Sequence, residues 1–168
     1  MKRISKKTIA LSLFIIISAA FMRQVVDYLK IRIGEKGFIF LIDLILVGAG
    51  VIFIIITIRN YPGLWRTVII VGILCTGLIF AWRIKIPVER IHILEYGVLG
   101  YLAGRDLLGK EKRRVGLILT IIFIGLVSTL DEVFQAVLPY RYFDLRDIWF
   151  NGLGGIGGIV LYLLKRLE

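Results

Sequence analysis

The chain has 168 residues, 58% of them hydrophobic, with a net charge of +10 and a mean hydropathy of +0.88. Soluble domains hold about 45–50% apolar residues, so this composition excludes an ordinary water-soluble fold and points to a chain solvated by lipid. The Lys and Arg residues fall in short clusters between apolar runs, as loops flanking membrane spans do, and there is no soluble region to present a groove-reading helix, so the charge does not signal nucleic-acid binding.

Met1 to Lys7 carries four cations and leads into an apolar run, Thr8 to Met22. A basic start, an apolar stretch and the small residues Ser18-Ala19-Ala20 also fit a signal peptide, but further spans set a membrane destination regardless, and the run reads as a retained first span. Arg23 to Lys36 is mixed; Val25, Val26, Leu29 and Ile33 approximate one helical face, which suggests a short amphipathic interfacial segment. Gly37 to Ile58 is long enough to cross a hydrocarbon core of about 30 Å, with Asp43 as its one charge. A Pro-Gly turn spans Arg59 to Gly63. Leu64 to Trp82 forms a third span, with Arg66 near one end and Trp65 and Trp82 at interface depth. After a basic loop containing Pro87, a short fourth span runs from about Ile91 to Ala103. Five cations mark Arg105 to Arg114, Val115 to Leu138 is the fifth span, and Ile148 to Leu164 the sixth. Cys75, alone within an apolar run, reads as an inert buried small hydrophobe with no disulfide partner.

The expected architecture is therefore all-α: a polytopic membrane helix bundle of about six transmembrane helices, forming a single integral membrane domain over residues 1–168. With the N-terminus inside, the inner pieces hold 13 cations and the outer pieces 9. The positive-inside bias then places both termini in the cytoplasm of a multi-pass protein of the cell membrane.

That topology gathers polar residues near one membrane face. His92, Glu95 and Tyr96 stand at i, i+3 and i+4 in the fourth span, on one side of a helix. Asp131, Glu132 and Gln135 share a face near the end of the fifth, and Asp144, Asp147 and Asn151 repeat the stride if the sixth helix starts early enough to include Asp144. Arg141 lies in the loop between. An ionised side chain at mid-membrane costs about 2.5–3.5 kcal/mol, so adjacent carboxylates at Asp131 and Glu132 need water, a cation such as Arg141 or Arg90, or a proton. The same residues could instead form an ion-pair network locking helix ends, Asp43 could be a helix-packing hydrogen bonder, and His92 with Glu95 could take a divalent metal. No cofactor is otherwise indicated. The pairs Gly100-x3-Gly104 and Gly154-x3-Gly158 read as close-packing faces.

Two blocks carry a resemblance. E-R-I-H-I-L-E-Y-G-V-L-G, Glu89 to Gly100, and D-E-V-F-Q-A-V-L-P-Y-R-Y-F-D-L-R-D-I-W-F-N-G-L-G-G, Asp131 to Gly155, resemble the VanZ-like membrane protein family across a motif region of about 87–163. The resemblance carries over His92, Tyr96, Asp131, Glu132, Gln135, Arg141, Asp147 and Asn151, while Glu95 matches a more variable place. It implies a link to reduced susceptibility to teicoplanin, and work on lipid head groups or lipid-linked cell-wall precursors. The partners would then be membrane lipids or a polyprenyl-linked precursor; no oligomeric state is specified.

Three functions compete. In an intramembrane enzyme acting on lipid-linked phosphate esters, Arg141 would hold the anionic head group, His92 would be acid, base or nucleophile, Glu95 or Asp131 would orient it, and Asp131 and Glu132 would share acid–base work. Tyr96, Gln135, Asp147 and Asn151 would complete substrate binding. In a non-enzymatic module the same residues would bind lipid or precursor, or alter antibiotic access. A proton-coupled transporter fits less well, because the polar groups cluster at one end rather than at the midplane.

Overall fold

The computed structural model describes residues 4–60, 63–108 and 113–166. Positions 61 and 62 of the turn expected at Arg59 to Gly63, the middle of the basic loop at 109–112 and the cations at positions 2 and 3 lie outside the described residues. The described chain is all helical: α1 (Lys6–Asn60), α2 (Leu64–Arg83), α3 (Glu89–Leu107), α4 (Arg113–Val137) and α5 (Leu145–Lys165).

Four of these helices, all but α3, are long and apolar enough to cross a membrane. The expected count of about six separate spans is thus not reproduced. The segment read as a separate interfacial helix at 23–36 instead continues the first apolar run up to Gly34, the residue of α1 with non-helical φ and ψ, beyond which the helix goes on into the second run. The run in α3 is diluted by Glu89, Arg90, His92, Glu95, Arg105 and Asp106 and is screened from its surroundings by its neighbours.

Gly34 has φ 74° and ψ 165°, a backbone region open essentially to glycine alone. There α1 folds back on itself into two limbs, 6–33 and 35–60. Both outer ends approach the same end of α3: the Ser5 amide donates to Asp106 at 2.8 Å, and the Phe53 ring meets Tyr101 edge-on at 6.4 Å. Asp43, in the second limb, instead pairs with Arg90 at the start of α3, 2.8 Å away. The foot of the first limb is clamped, since Asp106 also accepts from the Thr8 hydroxyl at 2.6 Å and pairs with Arg105 at 2.8 Å.

One apolar core sets Ile15 of the first limb among Tyr96, Leu99, Leu108, Ile124, Val127 and Ile159; a second joins Phe38, Ile42 and Leu46 to Ala81. The outward surface is rich in large apolar side chains, including Ile31, Leu64, Leu145 and Trp149, each more than two-thirds exposed. Water would not tolerate so much continuous apolar surface, and lipid does. Cys75 belongs to this outward face; it is exposed rather than buried, because α2 packs only at the margin of the bundle.

Helices α3 and α5 lie in the closest contact of the fold. A Cβ at Gly154 would sit 2.6 Å from the Ile93 carbonyl oxygen, and at Gly158 or Gly100 it would overlap the backbone of Gly97 or Gly155. The glycines let two backbones touch, as their spacing predicts. The pairings 93 with 154 and 97 with 158 also show that the two helices run parallel, both starting at the same end of the bundle.

Candidate functional site

That shared end carries the polar residues. The first turns of α3 supply His92, Glu95 and Tyr96; the last turns of α4 supply Asp131, Glu132 and Gln135; the α4–α5 loop supplies Arg141; and α5 supplies Asp147 and Asn151. In α4 the usual amphipathic rule is reversed: Ser128, Asp131, Glu132 and Gln135 are buried, while Leu126, Leu130 and Val133 face outward. A helix surrounded by lipid turns its apolar side out and its polar side in.

Three groups emerge. His92, Glu95, Gln135 and Arg141 line one small cavity with Ser18, Ala19 and Met22 of α1 and Val88 and Ile91. Its volume, about 30 Å³, is water-sized. His92 Nδ1 stands 3.5 Å from Glu95 Oε2, too poorly aligned to be a hydrogen bond, and both His92 Nδ1 and Arg141 Nε are buried without a hydrogen-bond partner.

Behind the cavity runs a buried polar string. The Tyr96 hydroxyl donates to Asp131 Oδ2 at 3.4 Å, and Asn151 Nδ2 donates to Ser128 Oγ at 2.9 Å. Asp131 and Asn151 are fully buried, and each has one side-chain oxygen without a partner. Asp131 is therefore one layer deeper than His92 and Arg141, and does not line their cavity. Ser128 was missed among the expected site residues, although 128, 131, 132 and 135 make one helical face and the signal was present.

The third group fixes the loop. Glu132 accepts from Gln135 Nε2 at 3.2 Å and from the Asp144 amide at 3.0 Å. Asp144 is not part of the α5 stride; it is the N-cap, with extended φ and ψ, and its carboxylate accepts from the Arg146 amide. It is further bound by the Arg146 guanidinium, Nε to Oδ2 at 2.9 Å. Hydrogen bonds from Arg146 hold the Asp144 carboxyl below the usual aspartate value. Asp147 follows in the first turn of α5, partly buried, its amide on the Asp144 carbonyl at 3.1 Å.

The alternative reading, an ion-pair network of Asp131, Glu132 and Arg141, does not form among the described residues. Among the described residues neither Asp131 nor Glu132 has a cationic partner within salt-bridge distance, and Arg90 is engaged by Asp43 and by the Ile84 carbonyl, 3.2 Å from its Nε. Asp43 is thus a pairing residue of the helix bundle. No three of the described His, Cys, Asp and Glu side chains are arranged to hold a metal ion.

No curated protein and no solved structure matches the chain. The sequence pattern of the VanZ/LLP1 family does match, over residues 2–166. The match reaches well beyond the 87–163 region that carries the motifs and takes in α1 and α2 as well. Nearly the whole chain, including the limb of α1 that walls the cavity, conforms to that pattern, and the protein belongs to the VanZ/LLP1 family.

Proposed function

We propose that this protein is a single integral membrane domain of the cell envelope whose polar end binds the anionic head group of a membrane lipid or polyprenyl-linked wall precursor and cleaves its phosphate ester. One observation carries the reading: His92 and Arg141 share a cavity, and each presents a buried nitrogen with nothing to bond to. A buried unpaired donor or acceptor costs about 1–3 kcal/mol, a cost that a phosphate oxygen and a water molecule offset. Arginine suits the phosphate because its planar fork matches two oxygens.

In the proposed reaction a water in the cavity bonds to phosphorus as the ester oxygen leaves. His92 accepts the water proton and passes it to the departing oxygen, with the Glu95 carboxyl lining the same cavity beside it. Cation bias supports placing both termini in the cytoplasm and the site toward the outer leaflet. Action on such precursors accords with the teicoplanin link that the family resemblance implies.

The test uses His92→Ala and Arg141→Ala at unchanged membrane abundance. Turnover of a lipid-linked phosphate ester by purified protein in vesicles should fall on the order of 10²-fold or more, the usual contribution of an acid–base group. Cells carrying either variant should lose the parent's effect on teicoplanin susceptibility. Variants equal to the parent in both assays would sink the proposal. A second reading, a binding module without chemistry, is favoured by the engagement of Asp131 and Glu132 in structural hydrogen bonds. It requires lipid binding without turnover, and graded loss in Asp131→Asn.

A further inference from the structure

The cavity, at about 30 Å³, holds water but no lipid head group, for which pockets of roughly 300 Å³ or more are usual. Ligand entry therefore requires a wall to move. The α3 wall, with His92 and Glu95, is backed by α5 in backbone contact at Gly154 and Gly158. Tyr96 and Asp131 tie α3 to α4, and Glu132 ties α4 to the backbone of Asp144.

The remaining wall is the upper part of the first α1 limb, with Ser18, Ala19 and Met22. Below it the limb is keyed into the core by Ile15 and clamped at its foot by Asp106. Beside the cavity, the Ser18 hydroxyl donates back to the Ile15 carbonyl at 2.8 Å, a local bond of the kind that slightly destabilises a helix. Above it, side chains alone join the limb to the α4–α5 loop. The Tyr140 hydroxyl donates to the Ala20 carbonyl, Arg23 Nη1 donates to the Tyr140 carbonyl at 3.0 Å, and the Arg23 guanidinium lies 5.4 Å from the Tyr140 ring centre. Arg141 comes next in the chain, so movement at Tyr140 also moves the proposed phosphate ligand.

We infer that the ligand enters sideways from the bilayer, through the seam between the first limb of α1 and the α4–α5 loop, and that Tyr140 and Arg23 latch this seam. The inference rests on the head-group reading above and adds to it the route by which the head group reaches the cavity. This segment of the wall, between a keyed core residue and a latch made by two side chains, can open without separating packed helix backbones.

The experiment uses the full chain with Cys75→Ser, Ala20→Cys and Tyr140→Cys, joined by a short thiol-cleavable tether, in phosphatidylcholine vesicles containing photoreactive phosphatidylglycerol. Labelling of the peptide bearing Arg141 should fall tenfold or more on tethering and return on cleavage. Tyr140→Phe, which loses the bond to Ala20 and keeps the ring, should label several-fold faster in the otherwise native chain. Labelling of the Arg141 peptide that persists through tethering, or an unchanged rate in Tyr140→Phe, overturns the lateral route and leaves head-group binding standing. No labelling of that peptide in any form, the parent included, removes the head-group reading and this inference with it.

Discussion

At the scale of single residues, Asp144 shows how a charge near a membrane is made useful locally. Its carboxylate caps α5 by accepting from the Arg146 amide, and its own amide closes onto Glu132. Replacing a capping Asp by Ala costs about 0.5–2 kcal/mol, so Asp144→Ala should lower the melting temperature in detergent, with Asp144→Asn recovering most of the loss. The sign of the pH effect follows from the hydrogen bonds of Arg146, which depress the folded-state value. The stabilisation is present above the ordinary aspartate value of 3.8 and fades as pH drops below it toward the depressed one. A melting temperature in Asp144→Ala that tracks the parent at neutral pH would contradict this. The buried residues were partly legible. His92, Glu95, Gln135 and Arg141 were readable as one group because they share a helical stride or a loop beside it. The depth of Asp131 was not, because spacing gives the face of a helix and not which neighbour it meets. Arg90 looked free to neutralise carboxylates until folding placed Asp43 beside it.

At the scale of elements, glycine decides how near two helices come. A methyl group at Gly158 would meet the Gly97 carbonyl and the Tyr101 amide. Overpacking against side chains typically costs about 1–3 kcal/mol, and backbone atoms yield less readily. Gly158→Ala should therefore destabilise the protein by at least that amount, while Gly72→Ala, where a methyl meets open space, should be neutral or slightly stabilising. Equal melting temperatures for the two variants would refute the contact. This packing could be read from the repeat of small residues four apart. A reversal between the first two apolar runs was also expected, but not its position at Gly34, since one glycine among charged and apolar residues looks the same in a continuous helix, and only the antiparallel packing of the two limbs selects its positive φ. Likewise the start of α5 was displaced by the cap at Asp144, a local hydrogen bond that hydrophobic periodicity does not register.

Across the whole molecule, the two ends are held by different means. The far end is tied by Asp106, which satisfies the Ser5 amide and the fully buried Thr8 hydroxyl. Losing the carboxylate removes the acceptor of the Ser5 amide and leaves the Thr8 hydroxyl only Ser5 Oγ, 3.1 Å away, a loss of about 1–3 kcal/mol. Asp106→Ala should thus reduce stability by that order and expose the start of α1 to protease, and Thr8→Val in the same background should return part of the stability. An Asp106→Ala protein with the parent's protease resistance would show that the clamp does not hold α1. The site end is more open to change, since the α1 wall there rests on Tyr140 and Arg23.

The parallel course of α3 and α5 has an electrical result. Both helices begin at the site end, so the peptide dipoles of two helices point the same way, each equivalent to roughly half a positive charge at its start. These two add, while α4, whose last turns lie at the same end, opposes part of their field. The acidic residues in their opening turns, Glu89 and Asp147, sit where that field favours negative charge. An incoming anion meets the same attraction before it reaches any side chain, and adding salt should weaken that pull only in the portion exposed to water.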